Sequence, residues 1–102
     1  MSIYLLSQTV NRDCNTYDSC VVIAEDEESA RKMHPNNAVW KHFRWVHIET
    51  DHEFSHQMLS ESWVDDIKDV TVKMIGMAGG RDFDGKPSLV KPCVVCASFN
   101  AG

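Results

Sequence analysis

Two short strings in this chain have the residue types and spacing to do chemistry. The first is His52-Glu53-Phe54-Ser55-His56, which reads H-E-x-x-H. On a helix, residues four apart share a face, so His52 and His56 would present two imidazoles to one zinc ion. Glu53 would then sit beside the metal-bound water as its general base. This is the chemistry of a zinc peptidase. The second string is Cys93-Val94-Val95-Cys96, a C-x-x-C spacing shared by zinc knuckles and dithiol redox centres.

The surroundings of each string weigh against these readings. A zinc-peptidase helix is normally buried and preceded by uncharged residues, whereas Glu49-Thr50-Asp51 leads into His52. That flank predicts an exposed helix start with Asp51 as its cap. A catalytic zinc needs a third protein ligand. In the extended form H-E-x-x-H-x-x-G-x-x-H that position falls on Ser62, and the carboxylates of Glu61, Asp65 and Asp66 lie off the usual spacing. A zinc hydrolase with His52 and His56 as metal ligands and Glu53 as base is therefore the alternative reading. The preferred expectation is no cofactor and no catalytic residue. In the C-x-x-C string, Val94-Val95 favours a strand over the tight turn of a knuckle. On a regular strand, positions three apart point to opposite faces. No helix start follows to lower a thiol pKa. Cys14, Cys20, Cys93 and Cys96 are all read as reduced thiols, and Cys93 and Cys96 accordingly as small, buried apolar residues. A four-cysteine zinc site is the competing arrangement.

The elements that must position these residues follow from the pattern around them. A chain of 102 residues suffices for one domain with one modest core, and 43% hydrophobic with 25% charged residues is ordinary for a folded protein. Ile3–Gln8 is a short run of strand formers that reads as a first strand rather than a signal peptide. Asn11–Asn15 is a turn, and Ser19–Ala24, apolar on both faces, predicts a central strand. Asp26 is placed to cap a helix with Glu27 and Glu28 in its first turn and Arg31, Lys32 and His34 near its end, stopped by Pro35. Val70, Val72 and Met74 alternate with their neighbours and give the clearest period-two strand. Residues 89–99, dense in Val and Cys, predict the last one.

Between these blocks lies the segment of about residues 38–67. It holds Trp40, Phe43, Trp45, Phe54 and Trp63 and four of the five histidines. Its periodicity fits a strand over Phe43–Ile48 or a helix face through Val39, Phe43 and Val46 equally well. A short helix over about Asp51–Leu59 follows, and Trp63-Val64 re-enters the core. The expected fold is a single α+β domain, β-β-α-insert-β-β. It would have a four-stranded mixed or antiparallel sheet and a helix on one face.

Tyr4-Leu5-Leu6-Ser7-Gln8-Thr9, Thr16–Ala24, Asp26–Arg31, His34-Pro35 and the closing Ala97-Ser98-Phe99-Asn100-Ala101-Gly102 occur in that order. Through these blocks the two ends of the chain, about two thirds of its length, resemble a family of small uncharacterised proteins of tailed bacteriophages and prophages. The resemblance implies a phage accessory protein acting in the cytoplasm of the host bacterium. It carries over no activity and no site residue, and the middle segment lies outside it.

The charge balance narrows the partners. A net charge of −5 makes a nucleic acid unlikely as partner, because phosphate binding needs a clustered positive surface, and the one basic concentration, Lys41–Trp45, is short. No apolar run approaches a membrane span. The expected function is a non-enzymatic protein-interaction module acting on a host or phage protein, able to form a homodimer through a sheet edge. Trp40, Phe43 and Trp45 form the candidate interaction surface, since aromatics concentrate in interface hot spots.

Overall fold

The structure is a computed structural model that describes residues 1–12, 14–48, 54–77 and 92–100. The strands β1 (Ser2–Ser7) and β2 (Thr16–Ala24) form an antiparallel hairpin. The helix α1 (Glu27–Arg31) follows, then three short strands, β3 (Met33–His34), β4 (Ala38–Lys41) and β5 (Arg44–His47). The helix α2 (Phe54–Ser62) and a single 3-10 turn (Ile67–Asp69) lead to the strands β6 (Thr71–Met77) and β7 (Cys93–Asn100). The main sheet has the order β6-β1-β2-β7, and every pairing in it is antiparallel. The chain is thus a small α+β fold with antiparallel sheets. It differs from the expected arrangement in one respect: the middle of the chain builds a second sheet of its own, β3-β4-β5.

Local chemistry explains the boundaries. Asp26 caps α1, its carboxylate accepting the Ser29 N–H at 2.7 Å. That contact holds the Asp26 carboxyl below its ordinary pKa of 3.8. Arg31 ends the helix, donating to the Val70 carbonyl and pairing with Glu27 at 3.3 Å. The helix is shorter than its charge pattern suggested. The chain leaves it at Lys32 and enters β3, which carries His34 out of the helix and into the core. In the β1–β2 connection Asn15 adopts φ 63°, a left-handed conformation that Asn tolerates well. Gln8 ties this connection down, donating to the carbonyls of Asn11 and Tyr17. Asn11 in turn donates to the carbonyls of Glu61 and Trp63, which joins the hairpin to the end of α2.

The core lies between one face of the main sheet and the middle segment. Tyr4, Leu6, Cys20, Val22 and Ala24 come from the sheet, and Ala38, Trp45, Leu59, Trp63 and Val64 come from the other side. The described residues between 38 and 67 are therefore no peripheral insert. They supply the second layer, without which the sheet face would stand in water. Trp45 and Trp63 are both fully buried. Trp45 donates its indole N–H to the Val64 carbonyl at 2.6 Å, whereas the Trp63 Nε1–H has no partner among the described residues and Trp63 is held by packing. Cys20 is buried, as expected of a small apolar residue. Cys14 is exposed, and so are Cys93 and Cys96, which corrects the expectation that those two are buried.

Candidate functional site

β4 and β5 join through a two-residue turn. Lys41 pairs with Arg44, and His42 and Phe43 between them have φ 52° and 64°. Two consecutive left-handed residues are the signature of a type I′ hairpin turn, whose twist matches the flanking strands. Such turns favour Asn-Gly because side chains beyond Cβ resist φ > 0. A histidine followed by a phenylalanine is among the costlier choices, at about 1–2 kcal/mol for each left-handed residue. Nothing among the described residues covers the Phe43 ring in return, and it is 89% exposed. Lys41, His42 and Arg44 beside it are exposed as well. The hairpin thus carries an aromatic ring, flanked by cationic side chains, out into solvent on a strained turn.

The three aromatic candidates occupy different layers. Phe43 stands at the tip. Trp40 is half-buried at the base of the hairpin, edge-on to Trp45 at 5.2 Å and tilted against the His56 ring at 6.4 Å. Trp45 is fully buried, which removes it from the candidate surface. In β5 Trp45 and Val46 are both buried, and Arg44 before them is exposed.

His52 and Glu53 lie outside the described residues. His56 is described, and its geometry bears on the zinc reading. Its Nδ1 accepts the backbone N–H of Trp45 at 2.9 Å. A neutral imidazole whose Nδ1 lone pair is engaged in this way carries its proton on Nε2. To ligate zinc, the ring would have to surrender either that proton or the bond to Trp45. In the structure, His56 therefore serves as the acceptor that joins α2 to β5. Its replacement by alanine is expected to leave the Trp45 N–H unpaired and to lower stability by about 1–2 kcal/mol. Denaturant unfolding of His56→Ala against the parent measures this, and an unchanged midpoint would mean that the bond contributes nothing.

His34 is the most deeply buried ionisable side chain among the described residues with a shifted pKa. Its Nε2–H donates to the Leu59 carbonyl at 2.7 Å, and its Nδ1 accepts the Asn36 N–H at 2.9 Å. The rings of Tyr17, Trp45 and Trp63 surround it. Burial pushes its pKa down from 6.5 to about 4, against the opposing pull of the Leu59 carbonyl. The sequence places His34 with the basic residues at the end of a helix; nothing in its flanks marks it as the hydrogen-bonded centre of the core. A recess of about 380 Å3 lies beside it, walled by Met33, Val39, Ile48 and Val94. Both nitrogens of His34 are already engaged there, so the recess lacks an imidazole base.

Among the described residues, no group of three or more His, Cys, Asp or Glu side chains is placed to hold a metal ion. No helix among them is long and apolar enough to cross a membrane. No family model, no curated protein and no solved structure matches the chain.

Proposed function

We propose that this protein is a non-enzymatic interaction module whose β4–β5 hairpin tip docks on another protein. The observation that carries the reading is Phe43, a large apolar ring held almost wholly in solvent on a turn that costs the fold stability. Buried aromatics repay their conformational cost within the fold. An exposed one on a strained turn gains that return where a partner covers it. Lys41, His42 and Arg44 around the ring suit an acidic protein surface with an apolar recess at its centre. Trp40, at the hairpin base, widens the contact. The likeness of the outer blocks to phage proteins supports a host or phage protein as the partner, met in the cytoplasm of the host bacterium. The net charge of −5 disfavours nucleic acid. Self-association through a sheet edge is compatible with this reading, because β6 and β7 are edge strands among the described residues.

Two substitutions at one position test it. Phe43→Ala removes the ring and keeps the backbone strain, so stability should stay within about 0.5 kcal/mol of the parent. Phe43→Gly also relieves the left-handed strain and should stabilise the fold by about 1 kcal/mol. Both should abolish capture of the specific partner from infected cells. Binding lost while stability rises identifies a contact residue, since a merely structural residue would lose both together. Equal capture by the parent and both variants would overturn the proposal.

A further inference from the structure

We infer that Cys93 and Cys96 form a two-thiolate site for a soft metal cation on the face of the main sheet that points away from the core. On a regular strand the two side chains would point to opposite faces, and β7 is not regular. Cys93 pairs with Ile23, Val94 with Val22 and Cys96 with Val21, so Val95 is an extra residue without a partner on β2. Residues opposite each other in an antiparallel ladder share a face, and Ile23 and Val21, two apart, lie on one side of β2. The bulge at Val95 therefore turns both thiols to that side. Val94, between them, packs against the core, and Cys93 and Cys96 are exposed free thiols.

The spacing suits a shared ion. Measured along β2, the two positions are two residues apart, or about 6.6 Å at the usual rise of a strand. Thiolates bound to one cation at about 2.3 Å in tetrahedral geometry lie about 3.8 Å from each other. Turning the two Cβ–Sγ bonds inward covers that difference. A disulfide is more demanding, needing Cα atoms within about 6.8 Å and Cβ atoms at about 3.8 Å. The floor of the site is apolar and half-buried, formed by Val21 and Ile23 with Leu5 and Ile3 beyond. A divalent cation that displaces one proton from each thiol forms a neutral pair with the two thiolates, the form that such a floor favours. Thiolate donors select soft cations over magnesium or calcium. Cys20 does not join: it faces the core, and burial together with the nearby Cys96 pushes its thiol up to about 12.

Cadmium is the probe, because its bonds to thiolate absorb in the ultraviolet and the intensity counts the thiolates. Titration of the reduced full chain should give one Cd²⁺ per chain bound by two thiolates. Cys93→Ser and Cys96→Ser should each weaken binding by at least about tenfold, while Cys14→Ser leaves it unchanged. Deleting Val95 tests the geometry itself, since it leaves the cysteines two apart on a regular strand, opposite Ile23 and Val21 and on one face, so cadmium binding should persist. Parent-like cadmium affinity in either serine variant, or loss of binding in a folded deletion, would overturn the inference. Should the deletion not fold, alkylation of the parent decides. Cadmium should protect Cys93 and Cys96 together and leave Cys14 reactive, and equal alkylation with and without cadmium refutes the site.

Discussion

Trp45→Ala is expected to remove most of the stability of this protein. The indole is fully buried, packs edge-on against His34 at 5.1 Å and Trp40 at 5.2 Å, and donates to the Val64 carbonyl. Truncating a buried tryptophan to alanine costs about 3–5 kcal/mol through lost burial and the cavity left behind. The Val64 carbonyl, left without its donor, adds about 1–3 kcal/mol. A domain of this size has roughly 5–15 kcal/mol in all. Urea unfolding followed by far-ultraviolet circular dichroism should show either a midpoint lowered by more than half or no folded baseline. Trp45→Phe keeps a ring in the space and loses the hydrogen bond, so it should fall between parent and alanine. A loss below about 1 kcal/mol in Trp45→Ala would contradict the core placement. The contrast with Phe43→Ala matters for function: both residues are hairpin aromatics, but only the Trp45 variant should lose partner binding by unfolding.

Stability should also fall as the pH is lowered from 6.5 to 4, with His34 as the cause. In the unfolded chain His34 takes up a proton near pH 6.5, whereas in the fold it does so only near pH 4. Over that interval the unfolded state binds more protons, so acid favours unfolding, and the loss is complete once both states are protonated. A difference of this size corresponds to about 3 kcal/mol. The physical reason is local. Protonation would place a new N–H on Nδ1 directly facing the Asn36 N–H, inside a pocket of aromatic rings. Asp26 acts in a different window. Its carboxyl is depressed below 3.8, so its contribution is present above that pH and disappears below it. Unfolding midpoints taken between pH 7 and 4 should slope downward in the parent. His34→Gln should be less stable at pH 7 and lose most of that slope. A parent whose stability is flat across the interval would mean that His34 is solvated.

The outer parts of the fold were legible because their signals are local. Asp26 followed by Glu27 and Glu28 marks a helix start, and the structure has the cap there. The period-two run through Val72 and Met74 is β6, and the doubly apolar run through Val22 is the central strand β2. The middle was ambiguous because its aromatics fit two periods. The signal that would have separated them, a turn-forming pair between two short strands, is absent: His42-Phe43 is a poor sequence for a type I′ turn. His34 was misplaced for a related reason. Its charge class suggested a helix end, and only the early exit of the chain at Lys32 carried it inward.

The two strings with which the sequence suggests chemistry divide along the same line. The sequence alone determined which elements exist at the two ends, the charge of the surface and the residue types available for metal binding. It could not determine which way those residues face. Strand alternation separates Cys93 from Cys96, and one unpaired residue, Val95, reverses that conclusion; such a bulge is set by how β7 meets β2 rather than by any residue within it. His56 has the spacing of a zinc ligand, and the approach of β5 turned its Nδ1 to a backbone N–H instead. Among three neighbouring aromatics, packing against His34 and Trp63 drew Trp45 into the core and left Phe43 outside. Residue type is a local property, whereas orientation and burial depend on partners distant in the chain, and only the tertiary structure supplies those.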